Sequence, residues 1–180
     1  MLENTLDSLF REYQVKHGPL NTEFDRDWPS PCEIGQPFPS PGLRQKIRWE
    51  PFRRSPLTDD FTGLETALDC SIHPDIKTYY GRFWSSNLQL IAPEGPLELL
   101  FLWNQFDSDR LIENLIGHAL ACKESKSEFS VFFSCTEPDS EFFVTVNNKT
   151  GAVQLELPGS KPIRQLANSL DEFLSTVRID

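Results

Sequence analysis

The spacing of hydrophobic residues predicts a helix near each end of the chain. Leu2, Leu6 and Phe10 recur every four residues, which indicates an amphipathic helix over residues 2–13. Near the other end, residues 169–172 read SLDE, the Ser-x-x-Glu pattern of a capping box. That pattern predicts that a second helix begins there.

Three more helices are predicted between these two. Residues 62–65 read TGLE, another capping box, so a helix is expected to start after Thr62. Pro74 suits the first turn of a short helix, where its missing N–H is not needed. Residues 107–126 predict a longer amphipathic helix, capped by Asp107 or Ser108.

Gly117 is the unusual residue of the longest predicted helix. On a helical wheel it lies almost opposite the centre of the apolar arc. A glycine inside a helix costs about 1 kcal/mol relative to alanine. We therefore expect a close approach at Gly117, either by a loop of this chain or by a partner.

The other hydrophobic segments are short and separated by turn sequences, which predicts strands in hairpins. The predicted strands are residues 88–92, 97–103, 130–134, 141–146 and 152–157. Together the elements predict one α+β domain over residues 1–180, with a three-layer-like arrangement. Its central sheet is expected to be mixed but largely antiparallel, with helices flanking it.

Prolines concentrate between the first two predicted helices. Eight of the 14 prolines lie between Pro19 and Pro56. Because proline fixes φ and lacks a backbone donor, we interpret residues 19–58 as a long loop that wraps the surface. One short strand is expected within it, at residues 45–50.

Charge is distributed unevenly along the chain. The net charge of −10 argues against a nucleic-acid-binding protein, because phosphate contacts need a basic surface. Residues 44–54 have a net charge of +4, whereas residues 55–113 have a net charge of −7. A solvated acidic face explains this pattern, and so does a docking surface for a basic partner.

The acidic docking surface would be formed by residues of the acidic segment 55–113 and of the longest predicted helix. The candidate partner-binding residues are Asp59, Asp60, Glu65, Asp69, Asp107, Asp109, Glu113, Asn114, Gly117 and His118. The four tryptophans could supply apolar anchors at such a surface, although tryptophan is also an ordinary core residue.

Sequence motifs of enzymes are weak in this chain. No His or Cys has metal-ligand spacing to another, and there is no glycine-rich phosphate loop, so no metal or cofactor is predicted. A hydrolase that uses Asp107 or Glu113 with His118 is an alternative. We expect instead that His118 is hydrogen-bonded to Asn114 or to backbone.

The start of the chain has no secretory pattern, because Met1–Phe10 contains Glu3 and Asp7 and no basic start. No apolar run approaches the roughly 20 residues that span a bilayer. We therefore expect a cytosolic monomer. An acidic protein is repelled by anionic lipid, so it should reach a membrane only through a receptor.

One segment resembles a known family. The run Leu102-Trp103-Asn104, then Asp107, then residues 113–118 (ENLIGH) is similar to the signature of Syd, the SecY-interacting protein family. Residues 61–67 and 73–74 also fit that family, as do residues 147–151, Val153, Glu156, 166–167 and 169–174. The resemblance covers nearly the whole chain and is dense from about Asp60 onward.

The resemblance implies a fold and a function. It implies the SUKH superfamily fold and a protein that is not an enzyme. It also implies binding to cytosolic loops of the SecY channel at the cytoplasmic side of the inner membrane, with uncomplexed SecY held or translocation restrained. Such loops are rich in Lys and Arg, which an acidic surface would complement. Other branches of the superfamily are immunity proteins, so binding to a basic toxin is an alternative.

Overall fold

The computed structural model describes residues 1–42, 44–136 and 140–180. Within these ranges it contains helices and antiparallel strands, so the predicted α+β class is confirmed. The helices are α1 Leu2–His17, α2 Thr62–Leu68, α3 Pro74–Arg82, α4 Gln105–Ser125 and α5 Leu170–Leu174. The strands are β1 Asn21–Glu23, β2 Glu33–Phe38, β3 Lys46–Trp49, β4 Phe52–Arg53, β5 Phe83–Trp84, β6 Leu88–Ala92, β7 Gly95–Leu99, β8 Ser130–Cys135, β9 Phe143–Asn147, β10 Val153–Glu156 and β11 Arg164–Ala167.

Six strands form the central sheet, in the order β11-β10-β9-β8-β7-β6. Every described pairing between these strands is antiparallel. The mixed character expected from the sequence is limited to an isolated parallel bridge outside the sheet, between Trp84 and Leu102. At the β6 edge, Ile91 and Arg178 exchange two backbone hydrogen bonds of 2.8 and 2.7 Å, so the C-terminal segment covers this edge.

The sheet separates two layers of helices. Phe133 of β8 contacts Tyr79 of α3 and Phe173 of α5 at 5.5 and 5.7 Å between ring centroids. The adjacent Phe132 contacts His118 of α4, at 6.1 Å. Because successive side chains of a strand point to opposite faces, α3 and α5 cover one face and α4 covers the other.

Helix α1 belongs to the first layer and is joined to α3 by a buried arginine. Arg82 donates two parallel hydrogen bonds to the carboxylate of Asp7, of 3.0 and 2.8 Å, and a third of 2.6 Å to Glu3. The Arg82 guanidinium holds the pKa of Asp7 below its ordinary value. The ring of Phe10 also packs on Phe101, which joins α1 to the core.

The proline-rich segment contains more strands than the sequence predicted. The expected strand is β3, but β1 and β2 pair with it on either side in a small antiparallel sheet. The expectation of a single strand within residues 19–58 was therefore wrong. Strand β2 accommodates Pro37 because its pairing with β3 is irregular between Ile34 and Phe38, and prolines are tolerated at such irregularities.

Two predicted capping boxes behave differently. The side chain of Ser169 accepts a hydrogen bond from Glu172 N–H, as predicted, but the carboxylate of Glu172 accepts from Asn168 N–H, one residue before the N-cap. Thr62 instead is the first residue of α2 and makes no side-chain cap. The carboxylate of Glu65 accepts from Ile72 N–H and pairs with Lys77, so it is not available to cap α2.

Candidate functional site

The start of α4 is fixed to the proline-rich segment. The predicted caps, Asp107 and Ser108, were wrong: Asn104 caps the helix, and its side chain accepts from Asp107 N–H at 3.1 Å. The Asn104 amide also donates to the carbonyl of Pro29 at 2.8 Å. Asp107 in turn accepts from Trp103 N–H at 3.1 Å. These bonds hold Asp107 in a defined position at the helix start.

Two adjoining hollows follow the N-terminal half of α4. They have volumes of about 270 and 220 Å³, and Asn87, Phe101 and Asp107 line both. We call the two together the α4 groove. The second hollow continues along the helix as far as Asn114, one of the predicted partner-binding residues.

The first hollow combines carboxylates with indole rings. Glu23, Asp25 and Asp107 line it together with Trp28 and Trp103. The two tryptophans are half-buried, and the indole N–H of Trp103 donates to the carbonyl of Trp28 at 3.2 Å. Carboxylates with aromatic faces can bind a cation by charge and by cation–π attraction.

Arg110 of this chain already makes both kinds of contact. The guanidinium carbon of Arg110 lies 5.6 Å from the centre of the Trp28 ring. One of its nitrogens lies 3.8 Å from a carboxylate oxygen of Asp107. The Arg110 side chain is 68% exposed, so a guanidinium can stay at this position while it remains in contact with solvent.

Sequence reasoning missed Glu23 and Asp25. Both lie in the proline-rich segment, which was interpreted as a wrapping loop. Their contribution depends on β1 and the following residues lying beside the start of α4, which hydrogen bonds from Trp103 and Asn104 bring about. The tryptophans were noted as possible anchors, and Trp28 and Trp103 line the groove while Trp49 and Trp84 are buried in the core.

Three predicted carboxylates are paired within the chain. Lys77 donates to Asp59 at 2.7 Å and lies 2.8 Å from Glu65. The Lys77 hydrogen bond also holds the pKa of Glu65 below its ordinary value. Asp60 lies 2.8 Å from the buried Arg54. Because these three carboxylates are neutralised within the chain, they attract a basic partner less strongly than the charge of the sequence predicted.

Three other predicted carboxylates are available. Asp69, Asp109 and Glu113 are exposed, and none forms an ion pair with any residue in the described ranges. Asp109 accepts a hydrogen bond from Gln105 at 3.2 Å, one turn earlier in α4. The charge of these residues is open to solvent and to a partner.

Gly117 has no neighbour in the part of the chain that the structure describes. Apart from its own turn of helix, a Cβ atom added there would meet no described heavy atom within 4 Å. The expectation that a loop of this chain crosses the helix at Gly117 was therefore wrong. The exposed side of α4 simply faces solvent there, and approach by a partner stays a prediction.

His118 joins α4 to the sheet. Its Nε2 atom lies 3.0 Å from Oγ of Ser130 and 3.5 Å from Sγ of Cys122. The expected bonds to Asn114 or to backbone are not formed, and neither Asp107 nor Glu113 is among its described hydrogen-bond partners. Burial lowers the pKa of His118 below its ordinary value. The acid–base pair that the hydrolase alternative needs is thus absent from the described residues.

The polar chain at His118 continues below the helix. The hydroxyl groups of Ser130 and Thr145 donate to the two carboxylate oxygens of Glu156, at 3.0 and 2.8 Å. Glu156 is only 2% exposed, and burial raises its pKa above the ordinary value although the two hydrogen bonds act to lower it. This buried chain connects α4 to three strands.

The basic segment at residues 44–54 is largely neutralised by neighbouring carboxylates. Its arginines pair as follows: Arg44 with Glu23, Arg53 with Asp7 and Arg54 with Asp60. Lys46 and Arg48 remain exposed on β3, whereas the alternate residues Ile47 and Trp49 are buried. The segment therefore presents less positive charge than its composition indicates.

Within the described ranges, no helix is both long and apolar enough to cross a membrane. Among the same residues, no three His, Cys, Asp or Glu side chains stand where they could hold a metal ion together.

Comparison with known proteins identifies relatives along almost the whole chain. A family model described as "Syd protein (SUKH-2)" matches residues 2–178. A protein named Protein Syd from Pseudoalteromonas atlantica is 37% identical over 155 residues, which cover 86% of this chain and 81% of that protein. Those of Colwellia psychrerythraea and Alteromonas mediterranea are 35% identical over 176 residues and 38% identical over 172 residues. These two matches cover 96% and 94% of this chain, and 88% and 91% of the relatives.

Proposed function

The chain belongs to the Syd family, and from this premise we propose that it is a non-enzymatic protein that binds basic cytosolic loops of the SecY channel. The observation that carries the proposal is the α4 groove, where Asp25 and Asp107 stand beside Trp28 and Trp103, while the third carboxylate, Glu23, is paired with Arg44. A lysine or arginine of a partner would find both carboxylates and an indole face there.

The charge of the proposed partner matches the groove. Cytosolic loops of membrane proteins are enriched in Lys and Arg, and complementary charges increase the rate of encounter. The position of Arg110, over Trp28 and near Asp107, supports recognition of a guanidinium in particular. The partner's cation would bind beside Arg110 or displace it.

Binding of this kind would place the protein at the cytoplasmic face of the inner membrane through SecY. The net charge of −10 opposes direct association with anionic lipid. Occupied cytosolic loops would either hold SecY that lacks its partner subunits or restrain translocation. Measuring translocation into membrane vesicles with and without the added protein separates these two consequences.

The experiment is a binding titration against detergent-solubilised SecY channel. In the double variant Asp25→Asn, Asp107→Asn, the amide oxygens can still accept the local backbone hydrogen bonds of Asp25 and Asp107. We expect it to bind at least about tenfold more weakly than the unmodified protein, because two carboxylates of the groove are neutralised. Raising the salt from about 50 to about 300 mM should weaken binding of the unmodified protein, because exposed charges are screened.

A matched control removes the same charge elsewhere. Glu12 and Glu141 are exposed, so the double variant Glu12→Gln, Glu141→Gln has the same net charge as the groove variant. It should bind within about twofold of the unmodified protein if the groove is the contact. Equal weakening by both variants, or binding that salt does not affect, would exclude the groove mechanism. Affinity purification that returns a basic toxin and no channel subunit would favour the immunity-protein alternative.

A further inference from the structure

The side of α4 that faces away from the sheet carries a regular stripe of residues. Asp109, Glu113, Gly117, Leu120 and Glu124 follow one another at intervals of three or four residues, so they form one line along the helix. We call this line the α4 outer face. It lies beside the α4 groove but shares none of the groove's lining residues.

The α4 outer face has no partner within the part of the chain that the structure describes. Leu120 is 57% exposed although it is an apolar residue. A Cβ atom at Gly117 would meet nothing within 4 Å. Asp109, Glu113 and Glu124 are exposed and form no ion pair with a described residue.

Gly117 is not explained by the structure of the isolated chain. Its φ is not in the left-handed region that requires glycine, and no atom of the described residues outside its own turn of helix prevents a larger side chain. Alanine there would stabilise the helix by about 1 kcal/mol. What glycine does provide is a shallow notch between Glu113 and Leu120, and such notches let another helix approach closely.

The charges on the α4 outer face determine which partner fits. A second copy of the chain would place carboxylates against carboxylates, and an anionic membrane surface would be repelled in the same way. A segment with Lys or Arg side chains would pair with Asp109, Glu113 and Glu124. Its apolar side would cover Leu120.

We infer that the α4 outer face docks a basic amphipathic helix of a partner protein, packed across Gly117 and over Leu120. This inference rests on the proposed function, since the partner helix would belong to the same channel whose loops occupy the groove. Beyond the proposed function, the inference states that one bound segment is a helix and that it contacts a second surface. It also gives Gly117 a role that alanine cannot fill without widening the approach.

The test compares two exposed helical glycines. Gly63 of α2 also has no heavy atom within 4 Å of an added Cβ and has no left-handed φ, so it is the matched control. Gly117→Trp and Gly63→Trp should both fold, which thermal melting verifies. In titrations against detergent-solubilised SecY channel, Gly117→Trp should bind at least about tenfold more weakly, because an indole fills the notch. Gly63→Trp should bind within about twofold of the unmodified protein.

The outcomes separate this inference from the proposed function. If the unmodified protein binds the channel and Gly117→Trp binds equally well, the docking inference is wrong and the groove proposal stands. If the unmodified protein does not bind the channel, the proposed function fails. The outer face is then tested with a synthetic leucine–lysine amphipathic helix. Weaker binding of that peptide by Gly117→Trp alone would retain the inference, and equal binding by both tryptophan variants would overturn it.

Discussion

Nε2 of His118 lies 3.0 Å from Oγ of Ser130, and that hydroxyl donates to a carboxylate oxygen of Glu156. While Glu156 is ionised, the Ser130 hydroxyl donates its proton to the carboxylate and can only accept from His118, so the neutral imidazole then carries its proton on Nε2. The helix that lines the groove is therefore held on the sheet by a buried polar chain whose two ends titrate.

His118 should make stability fall in mildly acidic solution. Its pKa is lowered by burial from the ordinary value of 6.5, so the unfolded state binds more protons as the pH falls through that value. Stability is then complete above the unfolded pKa and is lost as the pH falls toward the folded pKa. Urea unfolding at pH 8 and pH 5.5, followed by tryptophan fluorescence, should show a smaller pH effect in His118→Gln. The exposed His17→Gln should behave like the unmodified protein, and an unchanged pH effect in His118→Gln would contradict the prediction.

Glu156 should change the pH dependence of stability in the direction opposite to that of His118. Burial raises its pKa above the ordinary value of 4.5, so the folded state binds more protons than the unfolded state between the two pKa values. Its contribution is present below the unfolded pKa and is lost as the pH rises through the folded pKa. The stability of Glu156→Gln relative to the unmodified protein should therefore improve as the pH rises from 4.5 to 8, measured by urea unfolding. A difference that stays constant with pH would refute this, and Glu12→Gln, at an exposed site, is the control.

Two glycine-to-alanine changes should have opposite effects. Gly117→Ala should raise the free energy of unfolding by about 1 kcal/mol, because the methyl group meets nothing and the helix gains propensity. A methyl group on the buried Gly81 would collide with the carbonyl of Thr58, so Gly81→Ala should lower the free energy by roughly 1–3 kcal/mol. Guanidinium chloride unfolding measures both. A destabilised Gly117→Ala would show that its helix face has a contact that the structure does not contain.

The stabilisation that Arg82 provides should depend on its guanidinium group and not on its charge alone. Arg82→Lys keeps the charge but loses the two parallel bonds to Asp7, and we expect a loss of about 2 kcal/mol. Arg82→Met removes all three hydrogen bonds and leaves Asp7 only its exposed neighbour Arg53, so it should cost about 3 kcal/mol, more than the lysine variant. Arg53 also approaches Asp7, at 3.4 Å, but is 57% exposed, so Arg53→Lys should change the free energy of unfolding by less than about 0.5 kcal/mol. Equal effects of the two lysine variants would contradict this explanation.

The same network predicts behaviour in acid. The Arg82 hydrogen bonds lower the pKa of Asp7 from its ordinary value of 3.8, so the stabilisation is present above that value and is lost as the pH falls through the folded pKa. Between pH 4 and pH 2, the free energy of unfolding should therefore fall less steeply in Arg82→Met than in the unmodified protein.

The spacing of hydrophobic residues was sufficient to predict a helix that buries one of its faces. Leu2, Leu6 and Phe10 are buried on α1 as their spacing predicted, and Ser169 caps α5 as the sequence SLDE predicted. Strands β1 and β4 were missed because they have only three and two residues and are largely exposed, and β2 because it contains Pro37. The alternation of hydrophobic and polar residues in these strands is too weak to distinguish them from a loop.

The candidate site was only partly predictable because its charge depends on tertiary pairing. Counting charges identified Asp59 and Glu65, but not that α3 brings Lys77 between them. It also missed Asp25, which becomes relevant only because Trp103 and Asn104 hold its segment beside α4. Gly117 was correctly placed away from the core, but a wheel cannot show whether that side is covered.

The pairing of Arg178 with Ile91 also matters for how separate molecules behave. A strand at a sheet edge offers unpaired N–H and C=O groups to any extended chain nearby. The two bonds between Arg178 and Ile91 occupy such groups on β6. A truncation before Val177 would leave them free to pair with a strand of another copy, with self-association that grows with concentration. We therefore expect the last residues to protect this sheet edge from pairing with other copies as well as to complete the fold.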